Sequence, residues 1–378
     1  MRDKLTSICD FQGGSQPPKA EWSFENEEGY IRMLQIRDFT QSERVIPEFI
    51  KITATTKTCE EDDILIARYG ASIGKILTGL SGAYNVAIMK TIPDTTKISK
   101  KYLYYFLKSP YFQNSILNVG SRAAQAGFNK EDLAKLEINC PDIDEQNDII
   151  CILEKVEKII ANRKQQLLDL DNLIKSRFVE MYGDPRSNPF GYEKRMLKDT
   201  CKVVTGNTPS RAVAEYYGDF IEWIKTDNIV SGLTNPTIAS ESLSEDGMTV
   251  GRFVEENSIL MACIAGSIAS IGRVCITDRK VAFNQQINAI VPNTYNIYFL
   301  YVLLQISKDY LVKEINMALK GILSKSKLEE KKFIVPPMEQ QEQFSDFIKQ
   351  VDKSKSVISK SIEETQRLFD SLMQQYFE

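Results

Sequence analysis

Residues 201–218, CKVVTGNTPSRAVAEYYG, indicate how the chain is organised, because a diverged copy of them lies near the start of the chain. There, residues 9–18 read CDFQGGSQPP, with a cysteine, a glycine and a proline-containing turn at matching positions. The loop TGNTPS lacks the Gly-Lys-Ser/Thr of a phosphate-binding P-loop, so we interpret it as a turn that opens a domain. Its occurrence in two places predicts an internally duplicated chain.

The duplication runs through the whole sequence in a fixed order. Paired segments recur at shifts of about 190 to 200 residues, and the drift in the shift is what loop insertions produce. The pairs are GYIRMLQIRDF with DFIEWIKTDNI (29–39 and 219–229), DILIA with SILMA (63–67 and 258–262), SIGK with SIGR (72–75 and 270–273), AYN with AFN (83–85 and 282–284), and Leu133, Pro141 and Gln146 with Leu328, Pro336 and Gln341. We therefore expect each half to fold as a similar unit.

Each half consists of a mixed region followed by a long helix. The mixed regions hold short β-type runs such as DILIARYG and INAIVP between Gly, Pro and Asn clusters, and one apolar-aromatic helical segment. Core packing best explains the aromatic residues of that segment. The predicted fold class is α+β, with mixed regions at residues 1–140 and 183–335, a central helix at 141–182 and a C-terminal helix at 336–378.

The two long helices carry apolar residues at alternating spacings of three and four, a pattern typical of helices that pair along a seam. Arg163 interrupts the first seam and Lys355 the second. Proline precedes both helices, in a position suited to a helix start. We expect an antiparallel coiled-coil pair that joins two similar domains related by a pseudo-two-fold axis. The seam residues are Ile149, Leu153, Val156, Ile160, Leu167, Leu170, Ile174 and Phe178, and Phe344, Ile348, Val351, Ile358, Ile362, Phe369 and Met373.

Composition argues against several classes of function. The 378 residues contain no histidine, which removes the commonest general base and the usual metal ligand. The seven cysteines form no C-x-x-C pair, so we expect a reducing cytoplasm and neither a disulfide framework nor a cysteine-rich zinc site. No apolar stretch is long enough to span a membrane. The net charge of −4 comes from the helices, because each mixed region is nearly balanced.

Catalytic motifs are weak or missing. No G-x-G-x-x-G follows a strand, and Asn188-Pro189-Phe190 lacks the second proline of the Asn-Pro-Pro-Phe found in DNA amino-methyltransferases. Ser72 and Lys75 have Ser-x-x-Lys spacing, but the cation that matches Lys75 is Arg273, which does not deprotonate a serine. We predict neither catalytic nor metal-binding residues.

Cations at matched positions are the candidate functional residues. Lys75 and Arg273 follow a glycine in a turn, and Gln35 and Lys225 lie on matched strands. Each alone is most simply a solvated surface residue, but as a set on paired domains they suit phosphate contacts or guanine readout. The predicted DNA-contacting residues are Gln35, Arg37, Arg68, Lys75, Arg122, Thr208, Ser210, Arg211, Lys225, Arg273, Lys320, Lys325 and Lys327.

Several segments resemble the DNA specificity subunits of type I restriction-modification systems. Residues 197–229, LKDTCKVVTGNTPSRAVAEYYGDFIEWIKTDNI, resemble the opening of a target recognition domain in that family. VPPMEQQEQF and CPDIDEQNDI resemble the Pro-Pro-Leu-x-Glu-Gln segment that starts its spacer helices, and SRFVEMYGDPRSNPFGYEKRMLKD resembles its mid-chain junction. The resemblance covers the whole chain, in the family's order of domain and helix.

The resemblance implies a non-catalytic subunit that reads double-stranded DNA. Each target recognition domain would read one half of an asymmetric, interrupted site, and the antiparallel helices would set the spacer. The implied partners are two modification (methyltransferase) subunits, which would carry S-adenosylmethionine, and with them restriction motor subunits, at the nucleoid in the cytoplasm. Two similar domains on such helices also fit half-sites ~34 Å apart, one turn of DNA.

Two other functions stay open at the level of sequence. The first is a coiled-coil scaffold whose two globular ends bind proteins, without sequence-specific DNA binding. A steep salt dependence and competition by heparin would favour DNA over this scaffold. The second, weaker alternative is a nuclease or methyltransferase in its own right, which would show metal- or methyl-donor-dependent activity in the isolated chain.

Overall fold

The computed structural model describes residues 2–41, 45–120, 127–313, 315 and 321–378. The chain divides into two compact units, Met1–Arg163 with Ser361–Glu378 and Lys164–Lys360. Each unit contains one mixed region and a part of both long helices. None of the helices in the described ranges combines the length and apolar character that crossing a membrane would require.

The first unit builds its mixed region from short strands and helices. Its strands are β1 (Arg2–Lys4), β2 (Cys9–Gly13), β3 (Tyr30–Leu34), β4 (Phe49–Lys51), β5 (Thr58–Cys59), β6 (Leu65–Ala67), β7 (Ile76–Leu77), β8 (Gly82–Tyr84), β9 (Ile88–Pro93) and β10 (Glu137–Asn139). Its helices are α1 (Leu5–Ile8), α2 (Ile36–Thr40), α3 (Lys100–Lys108), α4 (Pro110–Gly120), α5 (Lys130–Leu133) and the first part of α6 (Ile143–Tyr182).

The second unit repeats this plan with small additions. Its strands are β11 (Lys194–Met196), β12 (Cys201–Thr205), β13 (Tyr217–Gly218), β14 (Ile221–Ile224), β15 (Ser242–Leu243), β16 (Phe253–Val254), β17 (Ile259–Ala262), β18 (Ile264–Ala265), β19 (Val274–Ile276), β20 (Val281–Phe283), β21 (Ile287–Pro292), β22 (Gly321–Ile322) and β23 (Lys332–Ile334). Its helices are α7 (Leu197–Thr200), α8 (Glu245–Val250), α9 (Ile297–Ile306), α10 (Lys308–Val312), α11 (Lys325–Glu329) and most of α12 (Met338–Phe377).

Strand order and register are repeated between the units. The order β2-β9-β6-β7 in the first matches β12-β21-β17-β19 in the second, with Cys9 opposite Pro93 and Cys201 opposite Pro292. The order β4-β3-β8-β5 matches β15-β14-β20-β16, and the central pair is parallel in both. The internal repeat and the α+β class expected from the sequence are therefore confirmed.

The aromatic helical segments are core, as predicted. In the first unit, the Tyr102 ring of α3 lies 5.1 Å from that of Phe377 on α12. In the second, Phe299 on α9 lies 5.5 Å from Phe178 on α6, which in turn lies 5.5 Å from Phe344 on α12. All five side chains are buried, so each mixed region shares its apolar core with the long helices of its own unit.

Within each unit the long helices run antiparallel. In the second unit, the hydroxyl of Tyr182 donates to the carbonyl of Gln340 at 2.7 Å, and Lys355 forms an ion pair with Asp171. In the first, Arg163 Nη1 donates to the carbonyl of Ser361 at 2.9 Å. The two polar interruptions of the apolar seam thus both have partners on the opposite helix, and polar seam residues of this kind fix register.

A buried glutamine joins each long helix to its mixed region. Gln146 Oε1 accepts the backbone N–H of Ser99, the residue that caps α3, at 2.9 Å. Gln341 Oε1 accepts the N–H of Asn296, the residue that caps α9, at 2.9 Å. Both amide groups also donate to a proline carbonyl ahead of the long helix at 2.8 Å. The same hydrogen bonds are made in both units, which explains why the two glutamines stand at matching positions of the sequence repeat.

Candidate nucleic-acid interface

The two opening loops are residues 14–19, which follow β2 in the first unit, and residues 206–211, which follow β12 in the second. Each begins with a glycine that lies against neighbouring backbone. A Cβ on Gly14 would lie 2.2 Å from the carbonyl oxygen of Asn85, and one on Gly206 would lie 2.1 Å from that of Asn284. Because backbone cannot yield to such contacts, only glycine fits, and the repeated AYN and AFN segments are the surfaces against which it packs.

Glu48 is the centre of a polar cluster beside the first opening loop. Its carboxylate forms ion pairs with Lys19 and Arg37 and accepts Nε2 of Gln35 at 2.9 Å. The Lys19 ammonium also lies 3.7 Å from the centre of the Trp22 ring, within cation–π distance. Two sequence candidates, Gln35 and Arg37, are therefore brought together by a carboxylate that the sequence did not single out.

Glu241 is the centre of the corresponding cluster in the second unit. It accepts Nη2 of Arg211 at 2.6 Å and forms an ion pair with Lys225. The Arg211 guanidinium lies 4.3 Å from the centre of the Tyr217 ring, and the Lys225 ammonium lies 5.2 Å from that of Trp223. Both sequence candidates again meet on one glutamate, with aromatic rings beside them.

Backbone hydrogen bonds show that the two clusters occupy the same place in the fold. The N–H of Met33 donates to the carbonyl of Glu48 at 2.7 Å, and the N–H of Trp223 donates to the carbonyl of Glu241 at 3.0 Å. Glu48 immediately precedes β4, the partner of β3, and Glu241 immediately precedes β15, the matched partner of β14. Lys19 and Arg211 each end an opening loop, so the cation, carboxylate and loop recur as a set.

Aromatic side chains hold the opening loops beside the clusters. The indole N–H of Trp22 donates to the carbonyl of Pro17 at 3.1 Å, and the hydroxyl of Tyr217 donates to the carbonyl of Pro209 at 2.7 Å. The two prolines are equivalent in the repeat. Because the same ring contacts the loop and the cation, each cation is held over a surface that is itself fixed.

The clusters keep their carboxylates ionised. Burial raises the pKa of Glu48, but hydrogen bonding to Lys19 and the charges of Lys19 and Arg37 outweigh it, so the pKa lies below its ordinary value. Hydrogen bonds from Lys225 and Arg211 lower the pKa of Glu241. Each cluster therefore carries two cations and one anion at neutral pH, a positive excess that suits a phosphate or guanine.

The outer cations of the clusters are accessible to a ligand. The Lys19 side chain is 61% exposed and that of Arg211 is 57% exposed. Glu241 is 35% exposed against 7% for Glu48, so only Glu241 is open enough to accept a cytosine amino group. The arrangement can therefore bind phosphate oxygens and base edges, in a chemistry that differs between the units.

Two further candidates of the first unit lie elsewhere. Arg68 Nε donates to the carbonyl of Phe128 at 3.3 Å, and its guanidinium lies 5.1 Å from the centre of the Tyr69 ring. Lys75 is exposed in the turn before β7. Arg122 lies outside the described residues, as does Lys320 of the second unit.

The remaining candidates of the second unit fall in three places. Thr208 and Ser210 are exposed on the second opening loop, where the Thr208 hydroxyl bonds to Gln285. Arg273 is half-buried and donates to the carbonyls of Ser270 and Thr226. The exposed residues Lys325 and Lys327 lie on α11, and Lys325 pairs with Glu329 at 3.5 Å.

Lys19, the two glutamates and the aromatic residues of the clusters were not among the residues predicted from the sequence. A signal was present, since Glu48 and Glu241 stand at equivalent positions in the repeat, as do Lys19 and Arg211. The candidates predicted from the sequence were mainly cations at matched positions, and carboxylates were not among them. Among the described residues, no three Cys, Asp or Glu side chains converge on a site that could hold a metal.

The fold and the clusters define an internally duplicated protein. Each of its two units carries a polar cluster at the same place in the same backbone plan. The model of the type I restriction modification DNA specificity domain matches residues 2–170 and 189–366. The chain therefore belongs to this family, whose members are non-catalytic specificity subunits.

Relatives and solved structures agree with this assignment. The chain is 25% identical over 374 residues to the specificity subunit of the type I restriction enzyme MjaIX from Methanocaldococcus jannaschii, covering 88% of this chain and 82% of that protein. Its fold resembles a chain from a type I restriction-modification system solved for its complex assembly and conformational transition, with a TM-score of 0.64, 15% identity and coverage of 100% and 97%. It also resembles the specificity subunit from M. genitalium, with a TM-score of 0.51, 15% identity and coverage of 100% and 96%.

Proposed function

We propose that this chain is the sequence-reading subunit of a type I restriction-modification complex and that each unit reads one half of a bipartite DNA site. The observation that carries the proposal is the recurrence of one cluster, built from a cation, a glutamate and an aromatic ring, at the opening loop of both units. A single-site protein would not need the cluster twice. Because the clusters differ in composition, the two half-sites differ in sequence and the whole site is asymmetric.

The long helices set the spacer and dock the partner subunits in this proposal. Antiparallel pairing within each unit and the fixed register at Arg163 and Lys355 support a spacer of defined length. Exposed apolar residues on the helices, such as Leu168, Val357 and Leu368, support docking of modification subunits there. S-adenosylmethionine and the methyl transfer belong to those modification subunits, restriction motor subunits join them, and the complex acts on DNA in the cytoplasm.

Methylome sequencing of the source strain, with and without this gene, tests the proposal. We expect a bipartite adenine-methylation motif that disappears on deletion. The chain, purified with its methyltransferase subunit, should then prefer duplexes that contain the motif in gel-shift assays. Unchanged adenine methylation together with no preference among duplexes would refute DNA reading and leave the scaffold alternative.

The assignment of one unit to one half-site needs a second experiment. Replacing Lys225 by alanine should weaken binding to duplexes with an intact second half-site by about tenfold, and should leave the penalty for scrambling the first half-site unchanged. Lys349→Ala, on an exposed lysine of α12, is the control. Equal weakening through both half-sites would contradict the assignment.

A further inference from the structure

A pocket of about 260 Å³ lies inside the second unit, between the long helices and the turn before β19. Four cations from separate elements line it, namely Lys175, Arg273, Lys308 and Lys355, together with the carboxylates of Asp171 and Asp352. The volume is below the roughly 300–1,000 Å³ of most small-molecule sites, so a single compact group fits best.

Two of the pocket's cations have carbonyl partners and no ion-pair partner in the described part of the chain. Arg273 donates to the carbonyls of Ser270 and Thr226 at 3.3 and 3.4 Å, and Lys308 Nζ donates to the carbonyl of Ala269 at 2.6 Å. Burial and then the charge of Arg273 lower the pKa of Lys308, although Asp309 partly opposes this. The two like charges therefore repel each other across the pocket.

The carboxylates of the pocket do not relieve this repulsion. Asp171 is paired with Lys355, and Asp352 lies 3.9 Å from the same lysine. Burial raises the pKa of Asp352; the charge of Lys355 opposes this shift, and the charge of Asp171 adds to it. Lys355 is thus neutralised, while Arg273, Lys308 and the exposed Lys175 leave the pocket with a positive excess.

The first unit shows that this charge is not required by the fold. The turn at Gly74, which matches the Gly272 turn beside Lys308, is contacted instead by Gln113, whose amide donates to the carbonyls of Gly74 and Leu107 at 2.9 and 2.6 Å. A neutral side chain therefore satisfies the same frame, and the lysine in the second unit calls for a separate explanation.

We infer that the pocket binds a phosphate group, held by Arg273 and Lys308 and supported by Lys175. An oxyanion there removes the repulsion between the two cations and accepts hydrogen bonds from both. The phosphate comes either from the DNA backbone or from a free phosphorylated molecule. This site goes beyond the proposed reading of bases, and phosphate binding to the chain is measured without DNA, so the two proposals fail separately.

Calorimetric titration of the full chain with inorganic phosphate, at constant ionic strength set with chloride, tests the site. We expect saturable binding that weakens at least tenfold in Lys308→Gln, the variant that replaces the charge by a neutral amide. Arg273→Gln should weaken it similarly, and Lys349→Gln should not. Circular dichroism checks that each variant is folded. Absence of phosphate binding to the native chain, or equal binding by Lys308→Gln, would overturn the inference.

The source of the phosphate is distinguished by the salt dependence of DNA binding in the complex with the methyltransferase subunit. If the pocket binds a backbone phosphate, the salt dependence of DNA binding should be weaker in Lys308→Gln. The negative slope of log K against log salt should become shallower by about 0.9. If the slope is unchanged while phosphate binding is lost, the ligand is a free phosphorylated molecule. Both results require the pocket to bind phosphate.

Discussion

The two units have one backbone plan and two different polar surfaces. In the first, Glu48 is nearly sealed, with Lys19, Arg37 and Gln35 all directed to it. In the second, Glu241 is partly open and has Arg211 and Lys225 as partners. The strand order and register that both units share keep the glutamates in place, while the side chains around them vary. A duplicated frame therefore allows each copy to acquire its own ligand chemistry at constant geometry.

The difference extends to the matched turns before β7 and β19. Where the first unit closes its turn with the neutral amide of Gln113, the second opens a pocket with Lys308. The comparison separates residues that define the frame, which are alike in both units, from residues that define binding, which are not. Substitutions at equivalent positions of the two units test that distinction.

The largest effect is expected at the glycines of the opening loops. Gly206→Ala and Gly14→Ala each place a Cβ about 2 Å from a carbonyl oxygen, so backbone must move, at a cost of about 3 kcal/mol or more in the free energy of unfolding. Urea denaturation of the full chain measures it. Gly266→Ala is the control, because its Cβ would meet nothing within 4 Å. Tolerance at one glycine only would show that the frames are not equivalent.

A smaller loss of stability is expected at the buried glutamines. Gln146→Leu and Gln341→Leu leave a backbone N–H and a carbonyl unpaired in each unit, which should cost about 2 kcal/mol. The loss should be greater for Gln146, whose amide also donates to the carbonyl of Lys97 at 2.7 Å. Urea denaturation checks the order, and the exposed Gln165→Leu is the control. A larger loss at Gln341 would contradict it.

The third effect concerns DNA and not stability. Arg211→Ala should reduce affinity through the second half-site by about 10- to 100-fold, and Lys19→Ala should reduce it through the first by less, because a guanidinium contacts a base edge or phosphate with two donors. Competition with duplexes scrambled in either half measures both, and Arg211→Lys should recover part of the loss. Loss through the wrong half-site would break the pairing of units with half-sites.

The smallest effect is on the pH dependence of stability. Both glutamates have a lowered pKa in the folded chain, so their stabilisation is present above the unfolded value of about 4.3 and disappears as the pH falls through the folded value. Glu48→Gln should flatten the decline of stability between about pH 5 and pH 3 by less than ~1 kcal/mol, and Glu241→Gln by less still, because exposed pairs contribute little. Thermal unfolding across this range measures both. A greater change for Glu241→Gln than for Glu48→Gln would contradict the conclusion that the more buried glutamate contributes more to stability.

Local signals allowed much of the frame to be predicted. The repeat, the long helices and the aromatic core segments depend on glycine, proline and apolar periodicity, which act over a few residues. Gln146 and Gln341 were found by their repeat spacing. Their hydrogen bonds between a long helix and a mixed region were not predicted. Contacts of the chosen cations with DNA stay a prediction.

The composition of the polar clusters could not be predicted in the same way. Lys19 meets Glu48, and Arg211 meets Glu241, only because strands distant in sequence pair in a particular register. A pattern within one strand does not specify its neighbour. The pocket around Arg273 likewise needs residues from both long helices and from α10, which no linear motif joins.

The polar contacts in the helix seams constrain how this protein can evolve. Arg163 bonds to the carbonyl of Ser361, and Asp171 bonds to Lys355, so α6 and α12 each contribute one member to both contacts. An insertion in α6 between Arg163 and Asp171, without a matching insertion in α12, would allow only one of the two contacts to form. A lineage that lengthens the segment must therefore gain residues in both helices together, or first give up a contact, and intermediate lengths should be rare among its descendants.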